Sequence, residues 1–222
     1  MANFKQHLAF ATLGTGILTT PLLGANLIAP PEALALWTAG SFGGVLPDID
    51  SDNAKVLELM FGGLTLLAIG LSLNHAPGSL ATTEKLTVHR GIFHSILSAC
   101  FFAVLTCNLS YHFLNYTAKL AWLCGLFLML GFILHLLLDE IFSVDFMNVE
   151  LKRSFGSAFK ITDYRNWKTS LAVLALTAGL FYFAPSPNPA TSMLFSDRNW
   201  VKIKRTFLPR QWSNLRPFFS ER

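Results

Sequence analysis

Leu120–Leu138 runs for nineteen residues without a formal charge, and nothing else in the chain narrows its fold so far. A helix of about that length crosses the ~30 Å hydrocarbon layer of a bilayer. An apolar solvent leaves the backbone few options besides helix, because every N–H and C=O must be paired within the segment. Five further apolar stretches accompany it: Leu8–Ala29, Ala33–Leu46, Leu59–Leu73, Gly91–Leu114 and Thr169–Ala184. Only 14% of residues are charged and 52% are hydrophobic, with a mean hydropathy of +0.46. A soluble domain averages about 25% charged. The pattern predicts an all-α, polytopic helical membrane protein of about five to six apolar helices. Residues 1–185 form the embedded part and 186–222 a basic, interfacial or flexible tail.

Several stretches qualify this scheme. Leu8–Ala29 is longer than the roughly 7–15 apolar residues of a secretory signal, so an uncleaved first helix is favoured over a signal cut near Ala33-Leu34-Ala35. Pro21 and Gly24 are expected to kink it, and Pro30-Pro31-Glu32 to end it. Ala33–Leu46 reads as a short second span or a half-helix, and Leu59–Leu73, also short for a span, as a re-entrant or interfacial segment. Residues 190–222 carry seven bases and two acids, a net +5 against +4 for the whole chain. Trp200, Ile203, Phe207, Leu208, Trp212 and Leu215 recur there at helical spacing. That pattern suits a helix on anionic lipid head groups, or a tail docked on its own protein; nucleic acid is not expected as a partner. The odd cysteine count, Cys100, Cys107 and Cys124 within apolar runs, argues against a disulfide framework.

Polar chemistry gathers at the ends of the apolar runs, where ionisable groups mark function by default. His135 and Asp139 are four residues apart and share a helix face; they suit a metal, or a buried His–Asp hydrogen bond. Leu46-Pro47-Asp48-Ile49-Asp50 places two carboxylates at alternate positions, expected on an extended loop because proline disfavours helix in the residue before it. The plain alternative is a solvated acidic turn. Thr87-Val88-His89-Arg90-Gly91-Ile92-Phe93-His94-Ser95 brings two imidazoles and a guanidinium to the start of a helix. Arg90 there suits a phosphate, which its planar fork matches, and the helix N-terminus adds positive potential. His7 precedes the first apolar run. His75 and His112 do not fit the set.

These positions share one face only if Leu8–Ala29 pairs with Ala33–Leu46, Gly91–Leu114 pairs with Leu120–Leu138, and Leu59–Leu73 does not simply cross. The five bases of 143–168 then put that face in the cytoplasm. The same path sends the seven-base tail to the other side, so the two basic segments conflict. Histidine nitrogens with aspartate oxygens suit Zn²⁺, or Mn²⁺ or Fe²⁺ where carboxylates dominate. Seven candidate ligands (His7, Asp48, Asp50, His89, His94, His135 and Asp139) exceed one tetrahedral site and accommodate one or two ions.

Gly44-Val45-Leu46-Pro47-Asp48-Ile49-Asp50, His89-Arg90-Gly91-Ile92-Phe93-His94-Ser95 and His135-Leu136-Leu137-Leu138-Asp139 resemble the G-x-L-P-D-x-D, H-R-G-x-T-H-S and H-x-x-x-D signatures of the YdjM-like family. Lys5-Gln6-His7-Leu8-Ala9 is similar to its N-terminal T-H motif, and Leu151–Gly156 to a loop of one branch. Phe93 stands where the family has threonine, Asp52 near where many members have histidine. The resemblance covers roughly residues 5–165. It implies a multi-pass bacterial inner-membrane, metal-dependent hydrolase and gives no substrate. Together the residues and the resemblance predict hydrolysis of a phosphoester, lipid or lipid-linked, by a metal-activated water. Asp50, His94 and Arg90 would be catalytic, with Arg90 on the anionic group. The alternative is a metal-binding or ion- or proton-transporting membrane protein without turnover.

Overall fold

The structure is a computed structural model describing residues 4–50, 94–142, 144–145, 150–151, 160–162 and 167–207, with backbone only at 49–50, 144–145, 150–151 and 207. The described elements are α1 (Phe4–Gly24), α2 (Pro30–Gly43), a 3-10 turn (Leu46–Asp50), α3 (Ile96–His112), α4 (Ala118–Ile141), β1 (Val144–Asp145), β2 (Glu150–Leu151), α5 (Trp167–Phe183), α6 (Asn188–Leu194) and α7 (Asp197–Phe207). The two short strands pair antiparallel.

Local chemistry sets the helix limits. Asn26 takes a left-handed φ of 54° and turns the chain after α1, a conformation asparagine tolerates better than most residues. Pro30 and Pro31 open α2 instead of only closing α1. The first helical turn has no use for their missing N–H groups, and Glu32 reaches back to accept from the Ala29 N–H at 2.8 Å. Thr117 caps α4 by accepting from the Leu120 N–H at 3.3 Å. Pro21 sits inside α1, which continues to Gly24.

α4 is the axis, packing against α1, α2, α3 and α6. Leu123, Phe132 and Leu136 are fully buried on it. Its glycines let backbones touch. A Cβ at Gly131 would overlap the Gly40 carbonyl oxygen of α2, and one at Gly125 the Ala103 carbonyl oxygen of α3. Small residues at such crossings are how helices associate where lipid removes the hydrophobic drive between them. α1 with α2, and α3 with α4, form two hairpins. α5 lies along α3, where Asn108 donates to both the Val104 and the Leu180 carbonyls at 2.9 and 3.0 Å.

The helical class holds, with a lower count of evident spans. Among the described residues, Ala118–Ile141 alone is long and apolar enough to cross a membrane by itself. Trp167–Phe183 and Asn188–Leu194 pass together but meet at a 94° bend. Ile96–His112 is apolar yet only 17 residues long. α1 has 21 residues, but its polar first turn and its threonines and glycines dilute it. Large apolar side chains nonetheless cover outward faces, including Leu13, Ile17, Leu174 and Phe183. Leu59–Leu73 lies outside the described residues.

The described part of the tail docks on its own protein. Ile203 of α7 packs against the core cluster, the Trp200 indole donates to the Leu194 carbonyl at 2.7 Å, and Asn199 donates to the Met193 carbonyl at 2.9 Å. Of the apolar stripe, Ile203 is turned inward while Trp200 stays 49% exposed, and Arg198, Lys202 and Arg205 face out. α7 sits at the Gly24 end of α1, away from His7. Lys160 and Lys168 flank the start of α3 and α5 at the other end. Bases thus occupy both ends of the bundle, the physical form of the conflict in the charge pattern.

Candidate metal centre

Five side chains from four elements meet at one end of the bundle. His7 comes from the first turn of α1, Asp48 from the 3-10 turn, His94 from just before α3, and His135 and Asp139 from the last turns of α4. His7, His94, His135 and Asp139 are each at most 4% exposed. Burying that many ionisable groups together opposes folding unless they are mutually compensated.

The distances show how they face one another. His7 Nε2 lies 3.3 Å from Asp139 Oδ1. His94 Nε2 lies 3.7 Å from Asp48 Oδ1 and 3.9 Å from Asp139 Oδ2. His135 Nε2 lies 3.5 Å from Asp48 Oδ1 and 3.9 Å from Asp139 Oδ2. The His7 and His135 rings stack at 3.7 Å, which disfavours both being cationic. Most of these gaps exceed a hydrogen bond. Two of them, 3.3 and 3.5 Å, fall in the roughly 3.3–3.6 Å between donors arranged tetrahedrally about an ion with bonds of about 2.0–2.2 Å, and the other three are 3.7–3.9 Å. Two groups are compact enough to hold an ion, His7–Asp48–His135 and His94–His135–Asp139, with ligand atoms within 4.8 Å of one another.

His135 gives the sharpest indication. Its Nδ1 is 2.8 Å from the Gly44 carbonyl oxygen. A carbonyl only accepts, so Nδ1 carries the proton and the neutral ring presents a bare Nε2. That Nε2 is buried and has no hydrogen-bond partner among the described residues. It faces two carboxylates, a repulsive arrangement unless a cation stands between. Ionised Asp48 and Asp139 contribute two negative charges and neutral imidazoles none, so one divalent ion balances the described set. The donor set therefore fits a divalent metal.

Asp48 is part of the same balance. Burial alone would raise its carboxyl, but contact with His94 and the charges of His135, His7 and His94 outweigh burial and hold it below its ordinary value.

The structure corrects two local expectations. Leu46–Asp50 is a 3-10 turn and not an extended loop; the Asp48 N–H donates to the Val45 carbonyl at 3.2 Å. The start of α3 does not offer its N–H groups to an anion either. Ile96 and Leu97 donate to the Lys160 and Ile161 carbonyls, both at 3.0 Å, and Ser98 donates to the Ser95 hydroxyl at 3.3 Å. Ser95 is a buried cap that also pairs with Lys160 as a parallel bridge.

Of the seven proposed ligands, His7, Asp48, His94, His135 and Asp139 converge. His89, the neighbouring Arg90 and the side chain of Asp50 lie outside the described residues. His112 sits at the far end of α3, its Nε2 3.2 Å from the Phe183 carbonyl oxygen, and takes no part; His75 lies outside the described residues. Sequence reasoning missed the Gly44 carbonyl and the 160–161 backbone. The Gly43-Gly44 pair is the available signal for the first. A Cβ at Gly44 would overlap the Ala11 side chain and lie 3.4 Å from the His7 carbonyl oxygen, so the glycine lets the turn approach α1.

Compared with known families, the chain matches the one described as YdjM inner membrane protein over residues 1–196. Searches of curated proteins and of solved structures return no match.

Proposed function

The chain belongs to the YdjM inner membrane protein family, and from that premise we propose that it is a multi-pass, metal-dependent hydrolase of a phosphoester. The observation that carries the proposal is the bare, buried Nε2 of His135 held toward Asp48 and Asp139 by the Gly44 carbonyl. His7, Asp48, His94, His135 and Asp139 would hold one divalent ion, Zn²⁺ by the mix of imidazole and carboxylate, with Mn²⁺ or Fe²⁺ as the oxygen-richer choices. A second ion would draw on Asp50 and His89. Such an ion supplies Lewis acidity toward a phosphoryl oxygen and a water more acidic than bulk.

The chain's own residues do the positioning. Gly44 fixes the proton on His135 Nδ1, and so the direction of its lone pair. Asp139 presents Oδ1 toward His7 and Oδ2 toward His94 and His135, so one carboxylate ties α1 to α3 and α4. With the α3 N–H groups already bonded, the task of holding the substrate anion falls to Arg90, whose guanidinium can fork onto two phosphoryl oxygens. The polytopic arrangement is supported by the apolar outward faces and by paired hairpins whose ends share the centre.

The test is metal analysis of the purified full-length protein together with phosphomonoesterase and phosphodiesterase assays. Stoichiometric metal with turnover abolished in His94→Ala and reduced in Arg90→Ala supports the proposal. Bound metal with flux into liposomes and no turnover would replace it with transport.

A further inference from the structure

Resting on the reading of the centre as a phosphoester site, we propose that the groove between α1 and α2 holds one hydrocarbon chain of a membrane lipid phosphoester, its phosphate lying at the His/Asp centre. Two cavities lie along this hairpin. One, of about 540 Å³, is lined by residues including Ile17, Thr20, Leu23 and Leu34. The other, of about 230 Å³, is lined by residues including Leu8, Phe42 and Val45. Thr12 and Trp37 line both, so the two adjoin at that pair. Leu8 follows His7, and Val45 follows Gly44, whose carbonyl orients His135. Both walls therefore end one residue from the centre. From Leu8 to Leu23 the helix rises about 22 Å, more than the roughly 15 Å half-thickness of the hydrocarbon layer.

The groove is apolar despite its hydroxyl-bearing residues. Thr19, Thr20 and Ser41 each donate to the carbonyl four residues earlier, at 2.7, 2.8 and 2.9 Å. The Trp37 indole N–H donates across the hairpin to the Thr12 carbonyl at 2.8 Å, leaving its ring as apolar wall. The lining therefore leaves few hydrogen-bonding groups for its occupant, which suits a hydrocarbon chain. A divalent centre at one end supplies the attraction for a phosphate head, which distinguishes this groove from ordinary lipid-facing surface. α5 provides the comparison: a hollow of about 640 Å³ lined by α5 residues alone, including Ala172, Leu176 and Gly179.

The experiment is photolabelling of the full-length protein in nanodiscs with hexadecyl phosphate bearing a diazirine near its chain terminus, mapped by mass spectrometry. Hexadecanol with the same diazirine is the control. The expected result is label on the α1 and α2 groove peptides several-fold above that on the α5 hollow, with hexadecanol labelling both alike. Excess unlabelled hexadecyl phosphate should suppress groove label and butyl phosphate should not. Thr20→Trp, at an exposed position on the groove, should reduce groove label while leaving the α5 label unchanged. Equal labelling of groove and α5, or indifference to Thr20→Trp, overturns the proposal. So does a groove that neither probe reaches in a dimeric protein, which would assign it to a second copy. Groove-specific label with no phosphate released from hexadecyl phosphate keeps the chain site and removes the hydrolase reading. Even labelling with phosphate released equally from butyl and hexadecyl phosphate does the reverse.

Discussion

Gly131→Ala tests whether backbone contact between α2 and α4 holds the centre together. The added methyl would overlap the Gly40 carbonyl oxygen, 2.8 Å from its carbon and 3.0 Å from the Gly44 nitrogen. All three atoms are backbone, so no side chain can rotate away and the helices must part. Overpacking of this kind costs about 1–3 kcal/mol. Moving Gly44 also breaks the 2.8 Å bond to His135 Nδ1, worth about 0.5–1.5 kcal/mol. Together they give about 1.5–4.5 kcal/mol, or a Tm lower by roughly 3–18 °C at about 2–4 °C per kcal/mol for a chain of this size. Because the bond to Gly44 orients a proposed ligand, metal affinity should fall by about 10–100-fold. The assay is thermal unfolding in detergent, with and without metal, beside a metal titration. Gly179→Ala is the control: nothing lies within 4 Å of its Cβ position, and alanine gains up to about 1 kcal/mol of helix propensity. A Gly131→Ala protein that melts with the wild type and keeps its metal would refute the reasoning.

Other outcomes follow from the same geometry. Chelation of a metal present at about 100 times its Kd should remove about 2.7 kcal/mol of stability, seen as a lower Tm that the metal restores. His135→Ala and Asp139→Asn should each abolish stoichiometric metal, whereas His112→Ala, at the opposite end of α3, should retain it by elemental analysis. Asp48's lowered carboxyl adds stability that is present above about pH 4, where the unfolded carboxyl ionises, and is lost as pH falls through the lower folded value. Metal-free Asp48→Asn should therefore show a flatter Tm profile than wild type in that acid range. Asn108→Ala should cost about 0.6–1.7 kcal/mol by releasing α5 from α3, measured by unfolding.

What the residues announced in advance was chemistry at helix ends. His135 and Asp139 were legible because a four-residue interval fixes a shared face whatever surrounds it. His7 and His94 were legible as polar groups at the mouths of apolar runs. Geometry made by distant backbone was not: no local pattern says that the carbonyl of Gly44 meets residue 135, or that residues 160 and 161 bond the start of α3. Pro30-Pro31 marks in the sequence the end of one helix and in the structure the start of the next, since proline serves both. The shape of Leu46–Asp50 escaped for a related reason. The bias against helix before proline is a tendency, and the Asp48 N–H bond to Val45 overrides it. α7 carried a stripe that suits a lipid surface or a protein surface equally, and only its neighbours decide.

The centre is divided between two separately closed hairpins. Residues 7 and 48 travel with the first, residues 94, 135 and 139 with the second, so only the second carries a coordinating set of three by itself. During synthesis the first hairpin emerges with too few donors to trap a passing cation. The full set of five comes together only when the second hairpin docks. An ion held by donors from both would act as a rivet between two halves of the molecule.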